Sequence, residues 1–309
     1  MIMARGSDVD PHIIAGAIIA GAYFGDRCSP MSSSAHLIAS LTRTEIYTNI
    51  KNMVLTALAP LVISVIIYLF LSKLYPVQIA DGPLTLEIQK IFHINALVLF
   101  PAIVILILSL FRFEVKLTML ISLITALAIG VSVQGYSLIQ ILKFVVLGYS
   151  LEESSPLKAI ISGGGVISMA KVSLVVVAST ALAGVLAGTK TLQVVGVILN
   201  KAKSRGNLFL GTIVISVISA AFGCTQTIAI LLTQQVVQEK YEQEQLDNYQ
   251  LAVDLENTAV VLSPLIPWNI AGLLPATVLM TDSGFIPYAF YLYLIPFFSL
   301  IQFKLSKPK

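Results

Sequence analysis

The chain has 309 residues, of which 57% are hydrophobic and 11% charged, with a mean hydropathy of +0.89. A soluble domain carries about a quarter charged residues, so too few remain here to cover a water-facing surface. The net charge of +3 is small and dispersed, which argues against a nucleic-acid partner.

The expected fold is all-α: a polytopic transmembrane helical bundle with discontinuous helices, forming one domain over residues 1–309. A crossing helix needs about 20 apolar residues. The first ten residues, MIMARGSDVD, are polar and hold no apolar core for a cleavable signal peptide. His12–Leu41 follows, apolar but interrupted by Gly25-Asp26-Arg27-Cys28-Ser29-Pro30. Met53–Leu74 reads as a span, Tyr75–His93 as a polar loop with Pro76, Asp81, Gly82 and Pro83. Ile94–Phe111 and Val115–Val133 read as the next spans. Tyr136–Gly148 has mixed faces and suits the interface, and Glu152–Pro156 reads as a turn. Val166–Thr189 is another span, and Leu192–Arg205 is amphipathic, ending in Lys201, Lys203 and Arg205.

Asn207–Val237 is a long apolar stretch interrupted at Gly223. Gln238–Leu255 is the clearest aqueous segment and reads as a polar helix outside the membrane. Thr258–Met280 is apolar but broken by Ser263-Pro264-Leu265-Ile266-Pro267-Trp268-Asn269, and Pro287–Leu305 is the last span. No period-two alternation suits a membrane barrel. Cys28 and Cys224 are far apart in apolar surroundings and read as free thiols.

Basic loops usually stay cytoplasmic. With His12–Leu41 as one inward crossing, Arg43, Lys51, Arg112, Lys116, Lys190, Lys201, Lys203 and Arg205 fall inside. Gln238–Leu255 then falls outside. The tail, with Lys304, Lys307 and Lys309, reaches the inside only if one late apolar segment fails to cross. Thr258–Met280 is the first choice for re-entry, because Pro264 and Pro267 each remove a backbone donor; Asn207–Val237 is the second. The expectation is seven crossings with the N-terminus outside and the C-terminus inside.

Broken helices persist in a bilayer only where protein or a water-filled cavity satisfies the freed backbone, and transporters use such breaks for ion sites. Asp26 lies in the first break, so a role as cation ligand, for sodium, or as proton carrier is the default reading of an intramembrane carboxylate. Ser29, Ser32, Ser33 and Ser34 can add neutral oxygens. The bland alternative pairs Asp26 with Arg27 or leaves it in a loop. His36 reads as a packing or interface residue. In the second break Thr225 and Gln226 offer oxygens, although small residues also simply pack spans together. In the third, Glu256, Asn257, Thr258, Ser263 and Asn269 gather; the alternative is an interfacial Glu256 with Trp268 as a belt anchor. Lys171 is either a counter-charge for Asp26 or Glu256 or, more in keeping with its place, a snorkelling lysine. HExxH, GxxxxGK[ST] and GxSxG are absent, so no enzyme is expected.

Gly21-Ala22-Tyr23-Phe24-Gly25-Asp26-Arg27-Cys28-Ser29-Pro30 resembles the GAYFGDKMSP stretch of the NhaC-type sodium/proton antiporters, a family that includes malate/lactate exchangers. Glu256-Asn257-Thr258 with Ser263–Asn269 resembles its EDS…SPLIPWN signature, and Ser162-Gly163-Gly164 with Ser168-Met169 is similar to its SGG…SM region. The resemblance runs over nearly the whole chain. It implies cation-coupled antiport of sodium and protons in a cell membrane, with no cofactor; the alternative it implies is antiport coupled to malate or lactate. Asp26, Ser29 and Ser32 match the first signature; Glu256, Thr258, Ser263 and Asn269 match the second. Two departures stand out: Ser33 lies where the family often has a carboxylate in SDTTN, and Asn257 where many relatives have Asp. The family's members are commonly about half as long again. The expectations are therefore a C-terminal two-thirds, a partner supplying an N-terminal half, or a homo-oligomer. A membrane chain that transports nothing is the reading from another class.

Overall fold

A computed structural model describes residues 9–30, 32–76, 91–111, 113–151, 163–167 and 204–305, with isolated positions between 170 and 199. The loop 77–90, the Glu152–Pro156 turn, Ser162, Ser168, Met169, Lys171, most of Val166–Thr189, Leu192–Lys203 apart from Leu199, Lys307 and Lys309 lie outside these residues. Regular structure among the described residues is helical, with one isolated bridge between Tyr149 and Gly163. The helices form two compact units, one of Val9–Pro76 with Val172–Lys309, the other of Val77–Lys171.

Helix α1 spans Pro11–Cys28, with Asp10 as its N-cap and Pro11 at the position where a missing N–H costs nothing. It runs through Gly25, Asp26 and Arg27 and stops at Ser29, which is extended as a residue ahead of proline tends to be. The first break is therefore Ser29–Ser32 rather than Gly25–Pro30: glycine is tolerated in a helix, and Pro30 sets the stop. Ser32 caps α2, Ser33–Thr42, which ends on a left-handed Arg43. Glu45 caps α3, Ile46–Leu74, by accepting from the amides of Tyr47 and Thr48. At 29 residues α3 is long enough to cross a membrane, about 43 Å at 1.5 Å per residue.

In the smaller unit a 3₁₀ turn at Ala96–Leu99 enters α4, Phe100–Leu110, and α5, Val115–Ser132, packs back along it. Ser122 Oγ, on α5, donates to Pro101 O at 3.0 Å. Ser137 and Gln140 form a capping box that opens α6, Leu138–Leu147. Leu106, Leu120, Leu138 and Leu142 stand exposed. An apolar surface of that kind suits lipid rather than water.

In the larger unit α7, Arg205–Gly223, stops at left-handed Cys224, and Thr225 caps α8, Gln226–Gln243. The two helices run back along one another. Near the open end Thr212 Oγ1 lies 3.1 Å from Tyr241 OH; near the tip a Cβ on Gly223 would meet Ile228 Cγ2 at 2.8 Å. Asn207–Val237 is thus a hairpin and not one crossing, because Cys224 turns the chain where an apolar run by itself would continue. Helix α9, Asn248–Leu255, passes into a π turn at Glu256–Val260 and a 3₁₀ turn at Ser263–Leu265. After the break comes α10, Ile270–Val278, bent 56° from the segment before it. A 3₁₀ turn at Ser283–Tyr288 leads to α11, Phe290–Leu305.

Contacts along α3 give the direction of the other described helices in this unit. At its start Glu45 N–H donates to Tyr249 OH; about 33 Å further along, Tyr68 OH donates to Tyr288 O at 2.8 Å and lies 3.5 Å from Gly16 O. His12 in turn contacts Asp282. Residues 12–45 therefore traverse the full height, and so do residues 249–282. Helix α11 returns from Tyr288 to Phe303, which packs on Phe209 near the start of α7. The hairpin has both ends at the Glu45 end, since Arg205 and Tyr241 each contact Asp254. The segment containing Thr258–Met280 thus carries the chain across, and the hairpin enters and leaves on one side. Gln238–Leu255 then lies at the end carrying Arg43 and Lys304, not opposite it. It is also not one polar helix: it turns at Glu244–Asp247 and buries Tyr241, Leu251, Ala252, Asp254 and Leu255.

Two described helices, α3 and α7, are by length and composition individually long and apolar enough to span, and the bent pair Asn248–Leu265 with Ile270–Val278 makes a third when taken as one span.

Candidate ion site at three helix breaks

Asp26 sits in the last turn of α1 and accepts hydrogen bonds from two other elements. Ser32 Oγ donates to Oδ1 at 2.7 Å and Ser34 Oγ to Oδ2 at 2.8 Å; Gln226 Nε2, at the hairpin tip, donates to Oδ2 at 3.3 Å. These donors are neutral, so they hold the carboxylate without cancelling its charge. Ser32 and Ser34 open α2 and Gln226 opens α8, so two helix N-termini, each a partial positive charge, face the same carboxylate.

The second and third breaks are fastened to each other. Ile270 N–H donates to Cys224 O at 2.9 Å, Trp268 Nε1 to Ala221 O at 2.8 Å and Asn269 Nδ2 to Ala220 O at 2.8 Å. Asn269 Oδ1 also accepts from Ala271 N–H, which makes Asn269 the N-cap of α10. Tyr23 OH donates to Ala271 O at 2.8 Å and ties α1 to the same place. Backbone that a bilayer would otherwise leave unpaired is satisfied by neighbouring breaks.

Beside this junction the π turn buries Glu256, 1% exposed, and neither carboxylate oxygen has a hydrogen-bond partner among the described residues. Asp26 and Arg27 lie within its electrostatic reach. Arg27, fully buried, donates through Nη1 to Tyr291 OH at 3.0 Å and through Nη2 to Asn257 Oδ1. Asn257 Nδ2 donates to Ser299 Oγ at 3.0 Å. Among the described residues Asp26 forms no ion pair with Arg27.

The expected site residues divide in two. Asp26, Ser32 and Gln226 meet directly, and Glu256 and Asn257 stand beside them around Arg27. The others hold the breaks. Ser29 ends α1. Thr225 Oγ1 accepts from Ile228 N–H to cap α8. Thr258 Oγ1 donates to Asp254 O and accepts from Ser216 Oγ, and Ser263 Oγ donates to Ala259 O. His36 closes the first break through Nε2 on Pro30 O.

A second polar cluster escapes the sequence reading. Asp254, 1% exposed, pairs with Arg205 and accepts from Tyr241 OH at 2.6 Å, while Arg205 stacks 4.0 Å above the Phe303 ring. The signal for it was the apolar face of Leu251, Ala252 and Leu255 within an otherwise polar run.

The fold and site define an all-α membrane protein whose polar groups gather where its helices break. The sequence matches the Na+/H+ antiporter family over residues 21–304, and the chain belongs to that family. It is 27% identical to the Na(+)/H(+) antiporter NhaC of Alkalihalophilus pseudofirmus, over 95% of this chain and 65% of the relative. It is 24% identical to the malate-2H(+)/Na(+)-lactate antiporter of Bacillus subtilis, over 93% of this chain and 63% of the relative. To the arginine/ornithine antiporter ArcD of Halobacterium salinarum it is again 24% identical, over 97% of this chain and 64% of the relative. The chain thus spans about two thirds or less of the length of these relatives. No solved structure matches it.

Proposed function

We propose that the chain exchanges sodium ions for protons across a cell membrane, with Asp26 and Glu256 as the charged groups of the ion site. The observation that carries this reading is the meeting of an uncompensated Asp26 with two helix breaks, the second of them fastened to a third, beside a buried Glu256 whose oxygens have no described partner. Carboxylate and hydroxyl oxygens are hard ligands that suit a small hard cation. A proton and a sodium ion compete for the same carboxylate, so binding one releases the other. The end carrying Arg43, Lys51 and Lys304 is then cytoplasmic, and the hairpin enters from that side. Sodium added to everted vesicles collapses a preformed proton gradient, and Asp26→Asn abolishes the response. A mutant that keeps the full response removes Asp26 from the mechanism.

A second reading couples the exchange to a small organic anion such as malate or lactate, and it is favoured by the malate-2H(+)/Na(+)-lactate relative. Labelled malate or lactate taken up by the same vesicles in a sodium-dependent way distinguishes it from simple cation exchange.

A further inference from the structure

Arg27 has no exposed surface, and the groups it touches are neutral. Its partners are Tyr291 OH, Asn257 Oδ1 and, at 3.5 Å, Thr56 Oγ1; its buried Nε has no hydrogen-bond partner among the described residues. No carboxylate among those residues forms an ion pair with it. A buried cation left without a compensating anion is strongly unfavourable, so its charge is balanced at longer range. The nearest carboxylates in the chain are Asp26, which precedes Arg27, and Glu256, which precedes the Asn257 that holds the guanidinium. Asn257 and Tyr291 fix the guanidinium in place, and arginine does not lose its charge in proteins.

Held by Asn257 and Tyr291, Arg27 puts a fixed positive charge among the carboxylates of the site. We propose that Arg27 sets the sodium affinity of this site, its fixed charge opposing the arriving cation in the field of Asp26 and Glu256 so that the ion is held weakly enough to leave. The inference rests on the reading of those two carboxylates as the ion site. It makes Arg27 a tuning residue that need not touch the ion, and it gives Asn257 the job of keeping that charge unpaired. A carboxylate at position 257 would sit on the atom that Arg27 Nη2 already meets, and the Ser299 hydroxyl can reverse to donate to it.

The test is equilibrium binding of radioactive sodium to the purified full chain in lipid nanodiscs at one fixed pH. In Arg27→Gln and in Asn257→Asp the half-saturating sodium concentration falls by about tenfold or more, because one opposing charge is removed or neutralised. Arg27→Lys keeps the charge and stays within about threefold of the parent. A folded Asn257→Asp with unchanged or weaker sodium affinity overturns the inference, as does an Arg27→Lys that tightens as much as Arg27→Gln. If Arg27→Gln does not fold, Asn257→Asp decides alone. Parent binding that Asp26→Asn leaves untouched refutes the ion-site reading instead. Loss in Asp26→Asn with no change in Asn257→Asp refutes only the role of Arg27.

Discussion

Replacing Asn269 by alanine tests whether the hairpin tip is held by the third break. The side chain does two jobs there: Oδ1 caps α10 through Ala271 N–H, and Nδ2 bonds Ala220 O. Ala220 O keeps a second donor in Cys224 N–H, so no buried carbonyl is stranded. The cost is therefore one N-cap, about 1 kcal/mol, and one net hydrogen bond, about 1 kcal/mol. With the scatter of both terms this gives about 1–3 kcal/mol, or about a 5- to 150-fold rise in tip opening. Cys224 sits on the tip, 7% exposed, and is its natural reporter. In a Cys28→Ala background it is the single thiol of the chain. Its labelling by a membrane-permeant maleimide, slow against reclosing, follows the open population. Asn269→Ala speeds labelling by the stated factor. Trp268→Phe, which loses one bond from a ring already 54% exposed, changes it by about threefold or less. An unchanged Cys224 rate in Asn269→Ala refutes the idea that the two breaks hold each other.

Arg205→Ala strands buried Asp254 and lowers stability by about 2–4 kcal/mol; Arg205→Leu with Asp254→Leu costs less than the single change, read from thermal unfolding in detergent. Gly16→Ala pushes a Cβ to 2.6–2.9 Å from Tyr288 Cβ and backbone, an overpacking cost of about 1–3 kcal/mol. Gly21→Ala on the same helix meets nothing within 4 Å and is neutral or stabilising by up to about 1 kcal/mol; the same unfolding measurement separates the two. At the far end His12 bridges Asp10 and Asp282, both ring nitrogens facing carboxylate oxygens. The Gly284 amide first, and His12 second, hold the Asp282 carboxyl below its ordinary range. A depressed carboxyl stabilises above its unfolded-state value and loses that contribution as pH falls through the folded one. Hydrogen-exchange protection in the first turn of α1 therefore survives mild acid and fades below the usual aspartate range. Asp282→Asn flattens that acid limb, and an unaltered profile in the mutant rejects the contribution.

The helices and their interruptions were legible because the signals are local. Pro30 and the Ser263–Asn269 prolines remove donors, and Gly223-Cys224-Thr225 offers a left-handed stop followed by a cap. What the chain does after a stop is not local. Whether Gln226 continues the direction of α7 or reverses it depends on pairs such as Thr212 with Tyr241, and the reversal changes which side holds Gln238–Leu255. The same limit applies to the site. Ser32 lies six residues from Asp26 and was within reach of a motif, whereas Gln226 lies 200 residues away and was joined to it only by folding. Asp254 stayed hidden because a carboxylate in a polar run looks solvated until its neighbours on the apolar face are known to be buried.

The π turn at Glu256–Val260 is one residue more than an α-helix needs. Asp254, before it, is fixed by Arg205 and Tyr241, and Asn269, after it, is fixed to Ala220 O. Moving such an extra residue along a helix rotates the positions it passes over and leaves the ends where they are. Glu256 and Asn257 are the positions in question. The segment thus carries slack at the place where its charged group can be re-aimed, between two anchors that need not slide.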